Sequence, residues 1–285
     1  MRIAIITHPL DVRLPSAIRR VFRKHKPTYM IEGMVTHLRK LGHTVFYISP
    51  GDRFRRADAA LVHVDQTRLG PEFGSLIARY PVVINGKVLD ISKSFISRNL
   101  LTRDSDWSGP VMVKSELNAR GAPEHHHARK LAPKHAKPWL IAPDYQIFAD
   151  KSQVSDGIWT NRNLIVEKYL PEKQGDLFVL RIWTFMGSFE RCNAYTTPEA
   201  IAKGKNVVGS FPCAVPDEIR AERLRIGSDY GKYDFAITPD GPVLYDANKT
   251  PGYLHSRPDI MRQSGIDMAT AMLDLIRLRQ ASMPA

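Results

Sequence analysis

The stretch that decides the fold covers residues 233–248 and reads YDFAITPDGPVLYDAN. Its turn sequence, PDG, separates two strand-like runs and suits a three-residue hairpin loop with the glycine in a left-handed conformation. Counting outward from such a loop, Thr238 would oppose Pro242, and Asp234 would therefore oppose Asp246. The sequence thus predicts an antiparallel hairpin that brings two carboxylates face to face.

Opposed carboxylates suggest a cation site. Like charges directly across a sheet are destabilising, so we expect a cation between Asp234 and Asp246. Asn248 lies two residues further along the same face and adds an amide oxygen. Oxygen-only ligands are typical of Mg²⁺, which keeps water and substrate phosphates in its other positions, and Mn²⁺ would fit the same ligands. A polar hairpin that faces solvent is the alternative that this stretch alone leaves open.

Composition restricts the functional classes. Hydrophobic residues make up 43% and charged residues 25% of the 285 residues, which is ordinary for a globular enzyme, and no apolar run is long enough to cross a membrane. The amino terminus lacks the features of a signal peptide, and Cys192 and Cys213 lack metal-ligand spacing. We therefore expect a cytoplasmic protein with no membrane partner and no disulfide framework.

The chain carries a formal net charge of +12. Such an excess favours polyanionic partners, and both a nucleoside triphosphate and an acidic substrate would qualify. Nucleic acid is a weaker candidate, because the sequence contains no zinc finger, basic heptad or aromatic-basic RNA signature. A solvated basic surface accounts for most of these residues equally well.

The chain divides into three parts. Over residues 1–102, short apolar strands alternate with amphipathic helices, which predicts a parallel α/β domain. The predicted strands are residues 2–7, 44–49, 59–64 and 82–84. Residues 103–170 begin and end with apolar strands around a segment rich in His, Pro and Lys, and residues 171–285 contain a hairpin, a helix, the acidic hairpin and a closing helix. We expect two α+β subdomains there.

Two apolar strands end in residues suited to nucleotide binding. The run VMVK ends at Lys114, and a loop of small residues follows it. One point charge and several backbone amides could hold phosphates there. The run LIVEKYLP ends at a proline, and such a hinge can offer backbone groups to an adenine edge, while Asp176 beyond it could accept from ribose hydroxyls. A solvated strand end and a plain connection between domains remain the alternatives.

Two arginines follow on successive predicted strands. The guanidinium groups of Arg181 and Arg191 are suited to phosphate or to developing negative charge. Whether they share a face of the sheet depends on the loop at residues 186–188: an odd number of loop residues places them together and an even number separates them. Three consecutive histidines, residues 125–127, point in different directions in any regular structure and do not indicate a shared metal.

The order of these parts resembles the ATP-grasp superfamily, over nearly the whole chain. The most specific match is the closing YDFAITPDGPVLYDANKTPG, which is similar to the metal-binding end of D-alanine:D-alanine ligases and ribosomal-protein glutamate ligases. The resemblance implies an N-terminal parallel α/β domain followed by two α+β subdomains that sandwich ATP. It also implies a reaction in which ATP phosphorylates a carboxylate and an amine attacks the acyl phosphate.

The same resemblance implies roles for individual residues. Asp234, Asp246 and Asn248 would bind one or two Mg²⁺ ions. Lys93 and Lys114 would contact the phosphates of ATP. The adenine hinge would be formed by Glu167, Lys168 and Leu170, and Asp176 would contact ribose. Arg191 best matches the arginine that stabilises phosphate and tetrahedral charge, and Arg181 is a second candidate.

The substrates are less well specified. In related ligases the acceptor lies between the amino-terminal domain and the region after the metal ligands, which makes His8, Arg13, Tyr253 and Ser256 candidates. We expect a small-molecule or peptide carboxylate, acidic in character, together with an amine. A homodimer is compatible with these expectations. Two rival functions remain: a kinase on the same scaffold that phosphorylates a hydroxyl, and a non-catalytic nucleotide-binding or nucleic-acid-binding protein.

Overall fold

The first part of the chain forms a parallel sheet with helices packed against it. The computed structural model describes residues 1–11, 29–131, 144–253 and 257–283. The elements here are β1 (Arg2–Ile6), α1 (Ile31–Lys40), β2 (Thr44–Ile48), β3 (Ala59–Val62), α2 (Pro71–Ile77), β4 (Val83–Ile84) and α3 (Lys93–Ile96). The strands pair in parallel in the order β2-β1-β3-β4, as the alternating pattern predicts.

Helix α1 illustrates why this sequence folds as it does. Met34, Val35 and Leu38 recur at helical spacing and are buried, whereas Leu41 beyond the helix end is exposed. Gly42 follows with φ of 82°, the left-handed conformation that ends helices. Burial of each large apolar side chain of this kind stabilises the fold by roughly 1.5–3 kcal/mol.

The middle of the chain forms a small antiparallel sheet. Its elements are β5 (Val111–Ser115), α4 (Ala122–Leu131), β6 (Gln146–Phe148), α5 (Asp156–Trp159) and β7 (Leu164–Lys168). The strand order is β6-β5-β7, so the strand that carries Lys114 is central. The core of this sheet contains Val111, Val113 and Val166, which pack with Leu101 and Val154.

The last part forms a larger antiparallel sheet. Its elements are β8 (Glu172–Gln174), β9 (Leu177–Met186), β10 (Phe189–Thr197), β11 (Gly209–Pro212), α6 (Asp217–Ile226), β12 (Tyr230–Thr238), β13 (Gly241–Asn248) and α7 (Pro258–Ala281). The strands follow the order β11-β10-β9-β12-β13, and β8 pairs with β9. In the part of the chain that the structure describes, no helix is both long and apolar enough for a membrane span.

Helix α7 joins the large sheet to the amino-terminal domain. Its Met268 and Met272 are fully buried in one cluster with Met34 of α1, Met186 of β9 and Tyr230 of β12. A Cβ at Gly265 would lie only 3.0 Å from the carbonyl carbon of Gly33, so the two helices approach closely at this pair of glycines. One apolar core is therefore shared between the two sheets.

The acidic hairpin has the predicted pairing but not the predicted turn. Thr238 pairs with Gly241 rather than with Pro242, so the loop has two residues instead of three. The register shifts by one residue between Phe235 and Asp234, and Asp234 does oppose Asp246. The extra residue thus lies within the strand as a bulge at Tyr245, not in the turn.

Candidate functional site

An open cleft of about 790 Å³ lies between the two antiparallel sheets. The small sheet contributes Lys114 and Glu167 to its wall, and the large sheet contributes Leu180, Asp234 and Asp246. Apolar walls with a few convergent charged groups are characteristic of small-molecule and cofactor sites. Five of the predicted site residues line it: Lys114, Glu167, Lys168, Asp234 and Asp246.

Lys114 is a buried cation inside the cleft. Its side chain is 5% exposed and forms an ion pair with the equally buried carboxylate of Glu167. The ammonium also lies 5.2 Å from the ring centre of Tyr245 and 5.8 Å from that of Tyr145. Lys114 is therefore not a solvated strand end. Glu167, which the resemblance assigns to the adenine hinge, is also the ion-pair partner of Lys114.

Lys93 is the second buried lysine and reaches the cleft from α3. Its Nζ lies 2.5 Å from Oδ1 of Asp246 and 3.3 Å from Oδ1 of Asn118. Burial acts to raise the pKa of Asp246, but the charges of Lys93, Lys232 and Lys114 together outweigh it, and the pKa of that carboxyl lies below its usual range. Lys93 therefore connects the acidic hairpin to the loop that follows β5.

Asp234 faces Asp246 and is paired with a lysine that sequence reasoning missed. Nζ of Lys232 lies 3.1 Å from Oδ1 and 3.3 Å from Oδ2 of Asp234. Burial raises the pKa of Asp234, and the Lys232 charge opposes that effect. Lys232 precedes Asp234 by two residues on the same strand, so alternation alone places both side chains on one face; that was the signal available in the sequence.

The hairpin meets the chemical requirements of a hard cation. Oδ1 of Asp234 is buried, and beyond its ion pair with Lys232 at 3.1 Å it accepts no hydrogen bond from the described residues, so an ion that displaced Lys232 could bind it. Asn248 lies opposite Lys232 on the same face, and its Oδ1 is held by the backbone N–H of Thr250 at 2.8 Å. Among the described residues no three His, Cys, Asp or Glu side chains form a metal cage, so the donor set is two carboxylates and one amide oxygen.

The hinge after β7 leaves one backbone donor unused. The N–H groups of Lys168 and Tyr169 donate to the carbonyls of Asn99 and Pro110, whereas Leu170 N–H donates to no described residue. The Leu170 carbonyl accepts from the Tyr245 hydroxyl at 2.5 Å. Leu170 itself is not among the residues that line the cleft, although its neighbours Tyr169 and Pro171 are.

The two predicted arginines lie on opposite faces of the large sheet. The β9–β10 loop has two residues, so Arg191 pairs with Thr184 and Arg181 pairs with Ala194, three positions away. Arg191 shares a face with Asp234, whereas Arg181 lies on the other face and holds Glu172 through two nitrogens. The structure therefore brings Arg191, and not Arg181, to the face of the sheet that carries Asp234.

Asp176 is separated from the other predicted residues. It lies in the exposed turn between β8 and β9 and does not line the cleft. The contact with ribose that the resemblance implied has no support from this position. Glu172 and Thr197, by contrast, do line the cleft.

The substrate candidates fall in two groups. Arg13 and Ser256 lie outside the described residues. His8 stacks on His127 of α4 with ring centres 3.8 Å apart, and Tyr253 packs against the core shared by α1 and α7. Neither of these two lines the cleft.

A strained loop follows β5 and closes beside Lys93. Ala119 and Arg120 have φ of 46° and 62°, and Gly121 continues with 77°. Two consecutive non-glycine residues in the left-handed region cost free energy that the surroundings must offset, here through Asn118, whose N–H donates to Oγ1 of Thr67. Such strain is common where backbone amides are held for a ligand.

Lys249 is a further buried charged residue, and no motif or periodicity marks it in the sequence. It follows Asn248, is 2% exposed, and its ammonium has no hydrogen-bond partner among the described residues. Burial lowers its pKa to about 8, against the opposing charges of Asp90, Asp65 and Glu124. Tyr145 was also missed, because it lies in an irregular segment with no periodicity to mark it.

Comparison with known proteins identifies the fold. No family model matches the chain, and no curated protein matches it. The crystal structure of D-alanine–D-alanine ligase from Bacillus anthracis matches with a TM-score of 0.51 at 13% identity, over 99% of this chain and 100% of that chain, and its complex with ATP matches with a TM-score of 0.50 at 13% identity and the same coverage. The macrocyclase MdnC from Microcystis aeruginosa MRC, bound with precursor peptide MdnA, matches with a TM-score of 0.50 at 10% identity, over 96% and 100% of the two chains. The predicted ATP-grasp fold is therefore confirmed.

Proposed function

We propose that this chain is an ATP-dependent carboxylate–amine ligase. In the proposed reaction, a substrate carboxylate oxygen attacks the γ-phosphorus of ATP, the bond to the β-phosphate oxygen breaks, and ADP leaves. The amine nitrogen then attacks the acyl carbon, loses a proton and expels inorganic phosphate, which leaves an amide. The acid and the amine are small molecules or peptides.

One observation carries this proposal: two buried lysines and two opposed aspartates converge at a cleft whose lining is largely apolar. Lys114 lies inside the cleft, and Lys93 contacts the aspartate that lines it. Buried lysines are costly unless a negative charge compensates them, and each has a single carboxylate contact among the described residues. A triphosphate with its cation would supply charges of both signs to these four groups.

Different residues would bind the phosphates, the adenine and the cation of the nucleotide. Lys114 and Lys93 would bind phosphate oxygens as point charges, and the strained amides of residues 119–121 would cover them. Leu170 N–H would bind the adenine edge. Asp234, Asp246 and Asn248 would hold one or two Mg²⁺ ions, which would neutralise the triphosphate and orient its terminal phosphoryl group.

Lys232 would act at the reacting end. In the structure its ammonium is the counter-charge of Asp234, and a bound cation would replace it in that role. Its ammonium would then face the substrate carboxylate on the same face of the sheet, where it could stabilise negative charge on the tetrahedral intermediate. No serine, cysteine or histidine nucleophile is required for this chemistry.

Regions 1–102, 103–170 and 171–285 would act as three functional units. The middle region would provide the lid, because its sheet supplies Lys114 and Glu167 to one wall of the cleft. Protection of an acyl phosphate from water requires such closure.

The test is a substrate screen that follows ADP release. Carboxylic acids are tested one at a time with pooled amines, and each positive acid is retested without amine. Release that requires both partners supports ligation, whereas a phosphorylated product formed without an amine would show a kinase instead. Asp234→Asn is the control variant, because it removes a metal ligand whose lysine partner can reach solvent. An absence of ADP release with every acid and amine, from protein that binds a nonhydrolysable ATP analogue, would contradict the proposal.

A further inference from the structure

The two cysteines of the chain lie side by side on neighbouring strands of the large sheet. In the register of β10 with β11, Asn193 opposes Pro212, so the next position places Cys192 opposite Cys213. Their Sγ atoms are 3.2 Å apart, and the N–H of Cys213 donates to the carbonyl of Cys192 at 3.1 Å. Both side chains pack in the core beneath α6. Nothing in their spacing of 21 positions marks this contact in the sequence.

This arrangement permits a disulfide with little movement of the backbone. Directly opposed residues of antiparallel strands have Cα atoms roughly 4.5–5.5 Å apart, which lies within the range of roughly 4.4–6.8 Å that a disulfide spans. Both thiols are free in the structure. A small rotation of the two side chains would therefore bring the sulfur atoms within bonding distance.

The two thiols differ in exposure and in their charged neighbours. Cys192 is 9% exposed, whereas Cys213 is more exposed and lies beside the guanidinium of Arg181. Glu172 raises the pKa of that guanidinium most, burial opposes the rise, and the Cys213 thiol adds to it. Burial raises the pKa of the Cys192 thiol, and the neighbouring Cys213 raises it further. Cys213 is therefore the thiol that an external reagent meets first, with a cation beside it to stabilise its thiolate.

The pair encloses a segment that lines the nucleotide cleft. The segment consists of the rest of β10, residues 198–208 and β11. Four of its residues line the cleft: Thr197, Ala200, Ile201 and Ala202. Strand β11 is four residues long, mostly exposed, and lies at the edge of the sheet beside β10. Short exposed strands open at low cost in free energy, so a covalent bond at the end of β11 would restrain the whole segment.

We infer that Cys192 and Cys213 form a reversible disulfide by exchange with a low-molecular-weight disulfide such as oxidised glutathione, and that this bond fastens the cleft segment in place. The thiolate of Cys213 attacks one sulfur of the glutathione disulfide, whose S–S bond breaks with release of one glutathione thiolate. The thiol of Cys192 then loses its proton to solvent and attacks the Cys213 sulfur of the mixed disulfide, which expels the second glutathione. The protein is oxidised by two electrons, and the glutathione disulfide is reduced to two thiols.

The first test measures formation of the bond, which does not depend on the proposed function. The sequence contains no other cysteine, so the products are unambiguous. Reduced protein is equilibrated at increasing ratios of oxidised to reduced glutathione, trapped with N-ethylmaleimide and analysed by intact mass and on a non-reducing denaturing gel. We expect a single-chain species without maleimide to replace the doubly labelled species, and dithiothreitol to reverse the change. Two free thiols at every ratio, or a disulfide only between two chains, would overturn the inference.

Two alanine variants separate the roles of the thiols. Cys192→Ala keeps the accessible thiol and lacks the one that would displace glutathione, so it should accumulate an adduct with one glutathione on Cys213. Cys213→Ala keeps only the buried thiol and should form this adduct at least about 10-fold more slowly. Circular dichroism verifies that both variants are folded. Equal rates of adduct formation would overturn the assignment of Cys213 as the thiol that reacts first.

The second test measures the effect on the cleft segment, and its nucleotide part rests on the proposed function. Amides of residues 198–213 should exchange hydrogen about 10-fold more slowly in the oxidised than in the reduced wild type, whereas those of β12 and β13 should not change. The oxidised protein should also bind a nonhydrolysable ATP analogue roughly 2- to 10-fold more tightly, because the segment then loses less conformational freedom on binding.

The outcomes separate this inference from the proposed function. Unchanged hydrogen exchange after oxidation would overturn the fastening of the segment. Slower exchange with equal analogue affinity in the two states would overturn the link between the cysteine pair and the cleft. Slower exchange in a protein that binds no analogue in either state would support the redox pair and reject the proposed function.

Discussion

Replacement of Asp246 by asparagine should destabilise the protein itself, before any effect on metal or nucleotide is considered. The Lys93 side chain is 2% exposed, and its one carboxylate contact among the described residues is Asp246, at 2.5 Å. Asn118 offers an amide oxygen at 3.3 Å, which carries no charge. The variant would therefore leave an ammonium group buried without a counter-charge.

The magnitude follows from this burial. Removal of one partner of a buried ion pair costs about 3–5 kcal/mol, and we take the lower end, about 3 kcal/mol, because asparagine keeps an acceptor oxygen near Lys93. Asp234→Asn provides the comparison: its partner Lys232 has a side chain that is 30% exposed, so the freed ammonium can be hydrated. We expect a cost of about 1 kcal/mol or less for that variant.

The assay is urea unfolding of the metal-free and nucleotide-free protein, followed by tryptophan fluorescence, with thermal unfolding as a second measurement. A loss of about 3 kcal/mol should lower the melting temperature by roughly 6–12 °C for a protein of this size. Lys93→Met combined with Asp246→Asn should recover part of the loss, since the uncompensated charge is gone. Equal unfolding midpoints for Asp246→Asn and Asp234→Asn would refute the reasoning.

Three further predictions concern other charged or polar groups of the site. Lys114→Met should weaken binding of a nonhydrolysable ATP analogue at least 10-fold, because a phosphate loses a buried point charge; unaltered affinity in calorimetric titration would remove Lys114 from the site. Tyr245→Phe keeps the ring beside Lys114 but removes the hydrogen bond to the Leu170 carbonyl, and a net loss of about 1 kcal/mol predicts roughly 5-fold weaker analogue binding. Lys249→Met should raise the free energy of unfolding by about 1–3 kcal/mol, since burial of this ammonium outweighs the attraction of its neighbours; a lower urea midpoint than wild type would contradict that balance.

The helices and strands whose buried residues follow one regular spacing could be predicted from the sequence. Met34 and Leu38 mark the buried face of α1, and Gly42 marks its end, because helix periodicity and the left-handed cap are properties of neighbouring residues. The parallel strands were recognisable for the same reason. Pairing of Asp234 with Asp246 was also predicted, and this pairing alone was enough to indicate a cation site.

Features that depend on contacts between distant segments could not be read from the sequence. The partners of Lys93 and Arg191 come from residues 153 and 73 positions away, and no periodicity reports such distances. The faces of Arg181 and Arg191 depended on whether one loop has two or three residues, which turn propensities did not decide. Asp176 matched a ribose-binding position in order along the chain, but it lies in an exposed turn and is not among the residues that line the cleft.

The bulge at Tyr245 shows how one backbone irregularity builds the site. In a regular strand, Leu244 and Asp246 would share a face and Tyr245 would point to the other. With the bulge, Leu244 pairs with Phe235 and both are buried in the core beneath α6, whereas Tyr245 and Asp246 both line the cleft. The extra residue thus places an aromatic ring beside Lys114 and a carboxylate beside Lys93 on consecutive positions. Deletion of one residue from the β12–β13 hairpin would force either Leu244 into the cleft or Asp246 into the core, so the insertion is a requirement of the site and not a tolerated defect.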